Sequence, residues 1–243
     1  VSAAAPRVSI VIPAYNEGDA IIRGLERIVA AVTLDFELMV VVDTPDDTTV
    51  PVVKEFARHH PGVRIAINDY GRGPAQAIRY GIDHAAARTT VVTMADGCDD
   101  PRQIDDLARL VERGVVVAAA SRYMAGGQQV GGPRFKRFLS RSAGRSLYTF
   151  AGVGTRDATN SYKAYNTAFV RQVGIESRDG FEIGLELTAK ARRRRMPVAE
   201  IPTIWLDRAF GVSNFKMTKW IPKYLRWYFY AFGRRKPSVG LES

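Results

Sequence analysis

The sequence predicts an α/β domain built on a mostly parallel central sheet with helices on both faces. Three observations predict it. Over the first 121 of 243 residues, short β-branched runs alternate with helical patterns, the signature of βαβ units. Those runs have the composition of strands covered on both sides. Polar residues gather just after them, where open α/β sheets bind their ligands.

In chain order, strands are expected at 8–13, 37–43, 63–68, 90–95 and 115–120, with helices between them. After the first strand, Ile21, Leu25, Ile28, Val29 and Val32 recur at the spacing of one buried helical stripe. Beyond residue 121 come a Gly-rich segment (124–133), a basic helical pattern (134–151) and a strand at 162–165. A long helix follows at 181–195, then an apolar run at 198–204. The last 30 residues place Trp220, Tyr224, Trp227, Tyr228 and Ala231 at helical spacing, interleaved with Lys216, Lys219, Lys223 and Arg226. This reads as an interfacial amphipathic helix or as a helix packed on the core.

With 46% hydrophobic residues the chain can bury a full core, so one domain with a short appendage is expected. The single cysteine, Cys98, excludes a disulfide framework and a thiolate zinc cluster, and points to a reducing compartment. No basic-then-apolar leader is present, and no run approaches the roughly 18–20 apolar residues of a spanning helix. Residues 1–121 carry 12 Lys and Arg against 17 Asp and Glu, whereas residues 122–243 carry 23 against 8. The second half is therefore expected to face something anionic. An isolated run such as Arg192, Arg193, Arg194 and Arg195 reads as a solvated basic face.

Four strand exits carry the chemistry: PAYNE (13–17), DTPDD (43–47), NDYGRGPA (68–75) and ADGCDDP (95–101). Asp43 can accept hydrogen bonds from a base edge. Asp96 and Asp99 are candidate ligands for Mg2+ or Mn2+, hard cations that take oxygen donors. Asp is equally a helix N-cap, and before Pro101 that role is the expectation for Asp100. The stretch from Gly71 through Arg72 and Gly73 to Ala75 can bring backbone N–H groups and one guanidinium to phosphate, or can be a tight turn. Glu182 and Glu186, at i,i+4 spacing, read as a solvated helix face.

In this order, VSIVIPAYNE, the Asp43 region, GRGPAQAIRYG, the acidic cluster before Pro101, AASRYMAGG, KRFLS, RDATNSYKAYN, FEIGLEL and IPTIWLDRAFGVSNF run from residue 8 to about 215. Together they resemble family-2 glycosyltransferases, most of all the dolichol-phosphate mannose synthase group acting on polyprenyl phosphates. The resemblance implies a GT-A, Rossmann-like nucleotide-binding fold and an inverting transfer of a hexose or N-acetylhexosamine from a nucleotide diphosphate sugar. Pro13, Tyr15, Glu17 and Asp43 match positions that seat the nucleoside, with Arg72 and Gly73 beside them. Arg122, Lys136 and Ser140 match positions that hold the acceptor's phosphate, and Arg208 matches one near the phosphates. Catalysis is assigned to Asp96 and Arg122, largely by electrostatic compensation, since a lipid phosphate oxygen is already anionic.

Two departures stand out. Where the family shows Asp-x-Asp after its fourth strand, an ungapped match places Ala95 and Gly97, leaving Asp96 and Asp99 as an altered metal pair. DTPDD replaces the common Asp-Asp-Gly-Ser, which leaves UDP- and GDP-sugars both open.

The resulting expectation is a glycosyltransferase domain over 1–214, divided into a nucleotide-sugar half (1–121) and an acceptor half (122–214). Residues 215–243 form an amphipathic, membrane-interfacial segment. The expected location is the cytoplasmic face of a membrane, attached peripherally to its anionic surface or to a small membrane protein. Transfer to a soluble or polysaccharide acceptor is the alternative, which would demand a general base facing the acceptor. A nucleic-acid-binding role, prompted by the basic balance, is opposed by the acidic strand exits, so no nucleic acid is expected as partner.

Overall fold

A computed structural model describes residues 5–207 and 217–234. Its central sheet has seven strands in the order β3-β2-β1-β4-β7-β5-β8. These are β1 (Val8–Pro13), β2 (Phe36–Val42), β3 (Val63–Ile67), β4 (Thr89–Val92), β5 (Val117–Ser121), β7 (Lys163–Asn166) and β8 (Val198–Pro202). Strand β6 (Gln128–Val130) pairs in parallel with β9 (Ile204–Leu206) in a small second sheet. Eight α-helices occur among the described residues: α1 (Ile22–Ala31), α2 (Thr49–His59), α3 (Pro74–Asp83), α4 (Ile104–Glu112), α5 (Arg134–Ser146), α6 (Thr167–Val173), α7 (Ile183–Arg193) and α8 (Met217–Ala231).

Every residue of β1 is buried, and the strand lies inside the sheet, third of seven, with Val8 opposite Phe36 on one side and Thr89 on the other. From β1 the chain winds outward through β2 to β3, then returns to place β4 on the opposite side of β1. The winding direction therefore reverses between β1 and β4, which opens a ligand crevice at their carboxyl ends. One apolar layer packs α1, α2 and α4 on the sheet through Leu25, Ile28, Val53, Ile104 and Leu107. The other uses Ile78 and Ile82 of α3, Phe169 of α6 and Leu187 of α7. Of the stripe expected on α1, Ile21, Leu25, Ile28 and Val32 are buried and Val29 is half-buried.

Strand β7 runs antiparallel between β4 and β5, joining the two halves of the chain inside one sheet. The expected 198–204 run is broken at Thr203, and its two pieces enter different sheets. The reason is pairing: β8 continues the main sheet beside β5, whereas β9 leaves it to meet β6 in the Gly-rich segment.

Two expectations about charge are corrected. Glu182 and Glu186 do not form a solvated face, being 2% and 0% exposed. Glu186 accepts the N–H groups of Glu176 and Ser177 at 2.7 and 2.8 Å and pairs with buried Lys190 at 2.6 Å. A carboxylate so fully bonded can be buried where an unpaired one could not. Nor is the whole 192–195 run a free basic face, because Arg192 donates to the carbonyls of Ala151 and Gly233 and Arg193 to that of Arg234. These bonds hold the end of α8, whose Trp227 and Ala231 are buried against α7 and the helical turn Leu147–Ala151.

Candidate active site

The exits of β1, β2 and β3 are built from backbone amides meeting carboxylates. Asp43, directly after β2, accepts from Asn68 Nδ2 at 2.7 Å and from the Gly73 N–H at 2.8 Å. Asn68, directly after β3, closes the intervening turn: its Nδ2 donates to the Gly71 carbonyl and its Oδ1 accepts the Tyr70 N–H. Gly73 has φ of +108°, and a Cβ there would come within 3.0 Å of the Asp179 carbonyl oxygen, so glycine is required on both counts. Asp47 joins the first two exits, taking the Asn16 N–H on one oxygen at 2.9 Å and capping α2 through the Thr49 N–H on the other at 2.8 Å. The Glu17 N–H donates to Thr49 Oγ1. Pro13 is buried at the end of β1, Tyr15 is 68% exposed, and Arg72 is exposed on the Gly71–Gly73 turn.

The exit of β4 carries the acidic cluster. Asp99 is buried and accepts from Thr93 Oγ1 at 2.9 Å and from the Met94 N–H at 3.3 Å. Burial and the neighbouring Asp96 charge push its carboxyl up to about 7, against those hydrogen bonds and the pull of Arg122. Asp96 takes the Cys98 N–H at 3.1 Å, and Arg27 donates to the carbonyls of Gly97 and Asp99, so α1 holds the loop in shape. Asp100 fulfils its expected capping role, accepting the Arg102 N–H at 3.1 Å.

Across the crevice, Arg122 follows β5. Its backbone N–H, Nε and Nη2 all donate to Asp157, at 3.0, 2.7 and 2.9 Å. Asp157 is fully buried, and although burial opposes the charge, its carboxylate holds the guanidinium above the usual arginine range. The Asp157 loop is itself pinned. Asn160 donates to the Ala120 carbonyl, Arg156 pairs with Glu200 at 2.6 Å, and Lys163 of β7 donates to the carbonyls of Ala158 and Asn160. Lys163 is wholly buried, which drives its amine down to about 7. Ser140 on α5 shares a 2.7 Å hydrogen bond with Thr159, while Lys136 stands exposed one turn earlier. Arg208 lies outside the described residues.

The structure thus places Pro13, Tyr15, Glu17, Asp43, Arg72 and Gly73 at three adjacent strand exits, with Asp96 and Asp99 at the fourth. Arg122 lies within electrostatic reach of Asp99. Reasoning from sequence missed Asp47, Asn68, Asp157 and Lys163. Asp157 and Lys163 lie in the RDATNSYKAYN stretch, which carried the signal without assigning them. Asp47 and Asn68 lie in the strand-exit motifs.

Asp96 and Asp99 are the carboxylates of this exit that a divalent cation could call on. They are hard oxygen donors three residues apart, close enough to feel each other's charge, on a loop fixed by Arg27. Two carboxylates with substrate phosphates completing the shell is a common Mg2+ arrangement. Among the described residues no group of three or more His, Cys, Asp or Glu is placed to hold a metal ion.

Comparison with known proteins identifies the family. Residues 9–174 match the model of glycosyl transferase family 2. The chain is 28% identical over 230 residues to polyprenol monophosphomannose synthase of Mycolicibacterium smegmatis, covering 88% of this chain and 86% of that protein. It is 29% identical over 225 residues to dolichol-phosphate mannosyltransferase of Pyrococcus furiosus, covering 90% of this chain but 62% of the relative. Among solved structures it resembles the mannosyltransferase PcManGT of Pyrobaculum calidifontis with GDP-Man and Mn2+. That match has a TM-score of 0.62 at 20% identity and covers 93% of this chain and 64% of that one. Glucosyl-3-phosphoglycerate synthase of Mycobacterium tuberculosis, with Mn2+, UDP-Glc and phosphoglyceric acid, matches at a TM-score of 0.65 and 17% identity over 97% and 83% of the two chains. The fold is that of GT-A glycosyltransferases, and the chain belongs to glycosyl transferase family 2.

Proposed function

We propose that this glycosyltransferase carries a hexosyl group from a nucleotide diphosphate sugar to a polyprenyl phosphate, with inversion at the anomeric carbon. The observation that carries the reading is the half-buried, fork-held Arg122, whose charge is felt at Asp99 of the β4 exit. A fixed guanidinium suits a phosphate acceptor, whereas a sugar hydroxyl would need none. Relatives named for polyprenol and dolichol phosphates support the same acceptor.

In this reading the base and ribose lie against Tyr15 and Asp43, and the diphosphate lies along the Gly71–Gly73 turn beside Arg72. Asp96 and Asp99 would hold Mg2+ or Mn2+, which when bound supplies positive charge to the departing diphosphate. Arg122, with Lys136, Ser140 and Arg208, orients the acceptor phosphate. One of its oxygens attacks the anomeric carbon from the face opposite the leaving group. The new C–O bond forms as the bond to the nucleoside diphosphate breaks, and no proton need leave the nucleophile. Asp157 keeps Arg122 from turning away.

A membrane surface is the natural home for such an acceptor. On α5, exposed Phe135, Phe138 and Leu139 alternate with Arg134, Lys136, Arg137 and Arg141, and α8 exposes Ile221, Leu225 and Phe229. Ser146 at the end of α5 shares a 2.9 Å hydrogen bond with the Tyr228 hydroxyl of α8, coupling the two. Aromatic rings at headgroup depth with cations reaching lipid phosphates would attach the chain peripherally to the cytoplasmic leaflet or beside a small membrane protein. Among the described residues no helix is long and apolar enough to cross a membrane.

The test is transfer of radiolabel from UDP- and GDP-sugars into organic-extractable product, with and without EDTA. A lipid product that Arg122→Ala abolishes is expected. Product that stays in the aqueous phase on a phosphorylated small molecule would instead support a soluble acceptor, the second reading.

A further inference from the structure

Two of the residues assigned to the acceptor phosphate take their positions from one short loop, 157–160. Arg122 is forked on Asp157 at its start, and Ser140 of α5 shares a 2.7 Å hydrogen bond with Thr159 inside it. The chain entering this loop is tied to β8, where Glu200 accepts from Thr155 Oγ1 at 3.0 Å and from the Arg156 N–H at 2.7 Å. The far end is tied by Lys163. Its Nζ donates to the carbonyl of Ala158 at 3.2 Å and to that of Asn160, the two residues that flank Thr159.

Lys163 is an unusual residue for its place. It lies on β7, between β4 and β5 in the sheet, with 0% of its surface exposed, and Tyr162, Ala164 and Tyr165 around it are core residues. An amine buried there costs desolvation that an apolar side chain would not. The packing nevertheless makes room for it. Helix α7 presents Gly184, where a Cβ would come within 3.3 Å of the Lys163 Nζ and 2.9 Å of the Asn160 carbonyl oxygen. Burial lowers the amine to about 7, so above that pH it is neutral, with one N–H for each of the two carbonyls.

We propose that Lys163 is a positioning residue for acceptor binding: by holding the carbonyls on either side of Thr159, it fixes the loop that aims Arg122 and Ser140 at the acceptor phosphate. The inference rests on the acceptor reading above. A bidentate fork loses its match to phosphate when its support shifts slightly, so a loosened loop weakens the acceptor. The nucleotide seat at the β1, β2 and β3 exits has hydrogen bonds of its own and should not feel the change.

Initial rates with undecaprenyl phosphate in detergent micelles at saturating donor, beside calorimetric titration of bare GDP and UDP, test it. Lys163→Met keeps the bulk and removes both donors, so acceptor KM should rise about tenfold while kcat and nucleotide affinity stay within about twofold. Gly184→Ala presses on the same Asn160 carbonyl with the amine still in place, and should raise acceptor KM in the same direction. Added to Arg122→Lys, whose fork is already lost, Lys163→Met should cost no more than about threefold, as residues acting through one another do. A Lys163→Met protein that melts earlier with unchanged acceptor KM would overturn the inference, as would an equal loss of nucleotide affinity or a full additional loss in the Arg122→Lys background. If Lys163→Met does not fold, Gly184→Ala decides, and an unchanged acceptor KM there overturns the inference. Arg122→Lys with wild-type acceptor KM would sink the acceptor reading as well, whereas a raised KM there with none in Lys163→Met sinks only this inference.

Discussion

The two sides of the crevice are held by different physics. On the donor side Asp43, Asp47, Asp96, Asp99 and Asp100 each accept a backbone N–H from their own or a neighbouring loop. On the other side Asp157 and Glu200 accept backbone N–H groups as well, but each adds a side-chain ion pair to a segment far away in the chain, with Arg122 and Arg156 respectively. An amide cannot withdraw without unfolding its loop, but a half-buried guanidinium that loses its carboxylate is left a charge with little to oppose it. The donor seat should therefore tolerate single side-chain changes better than the acceptor seat.

Asp157→Ala is the harshest test of that contrast, because it strands Arg122. Urea unfolding should show a loss of about 3–5 kcal/mol. Asp43→Asn, which keeps an oxygen for its amide partner, should cost about 1–1.5 kcal/mol. Equal losses would erase the distinction between the two sides.

Activity should divide the sides differently. Asp96→Ala is expected to lower kcat by about 100- to 1,000-fold, the scale seen when transition-state charge loses its compensation. In Arg122→Lys the charge stays but the fork is lost, and the lipid-acceptor KM should rise more than kcat falls. Unchanged acceptor KM in that variant would remove Arg122 from the acceptor site.

Lys163 sharpens the comparison through pH. Burial lowers its amine from 10.5 to about 7. Between those values the unfolded chain binds a proton that the folded chain does not, so stability at this position rises with pH from about 7 to 10, by up to about 1.4 kcal/mol per unit. Lys163→Met should flatten that slope relative to wild type in chemical denaturation at pH 7.5 and 9. Parallel slopes would mean that the amine is charged in the fold throughout.

The smallest effect belongs to the surface. Phe135→Ser with Phe138→Ser should weaken sedimentation with anionic phospholipid vesicles about tenfold and leave nucleotide binding untouched. Vesicle binding that survives in full would place the membrane contact elsewhere.

Much of this architecture was legible in the sequence because its causes are local. The β-branched runs and the 21-25-28-32 stripe are periodic patterns that only one kind of element can bury, and Asp100 before Pro101 is a capping signal read over three residues. The donor exits were legible for the same reason, since strand end and ligand-facing loop are adjacent in sequence.

Other features were settled only by tertiary contact. The 198–204 run divides because β5 and β6 claim its two ends, and nothing within the run says so. Glu182 and Glu186 have the spacing of a solvated face, yet loop 176–180 folds over them and supplies the N–H groups that allow their burial. Asp157 becomes the partner of Arg122 across 35 residues only because antiparallel β7 enters the sheet beside β5. Sequence by itself determined which residues are strands, helices and strand-end carboxylates, because propensity and periodicity act over a few residues. Only the tertiary structure decided which charges meet and which of them can be buried, because electrostatics and desolvation depend on neighbours the chain brings from far away.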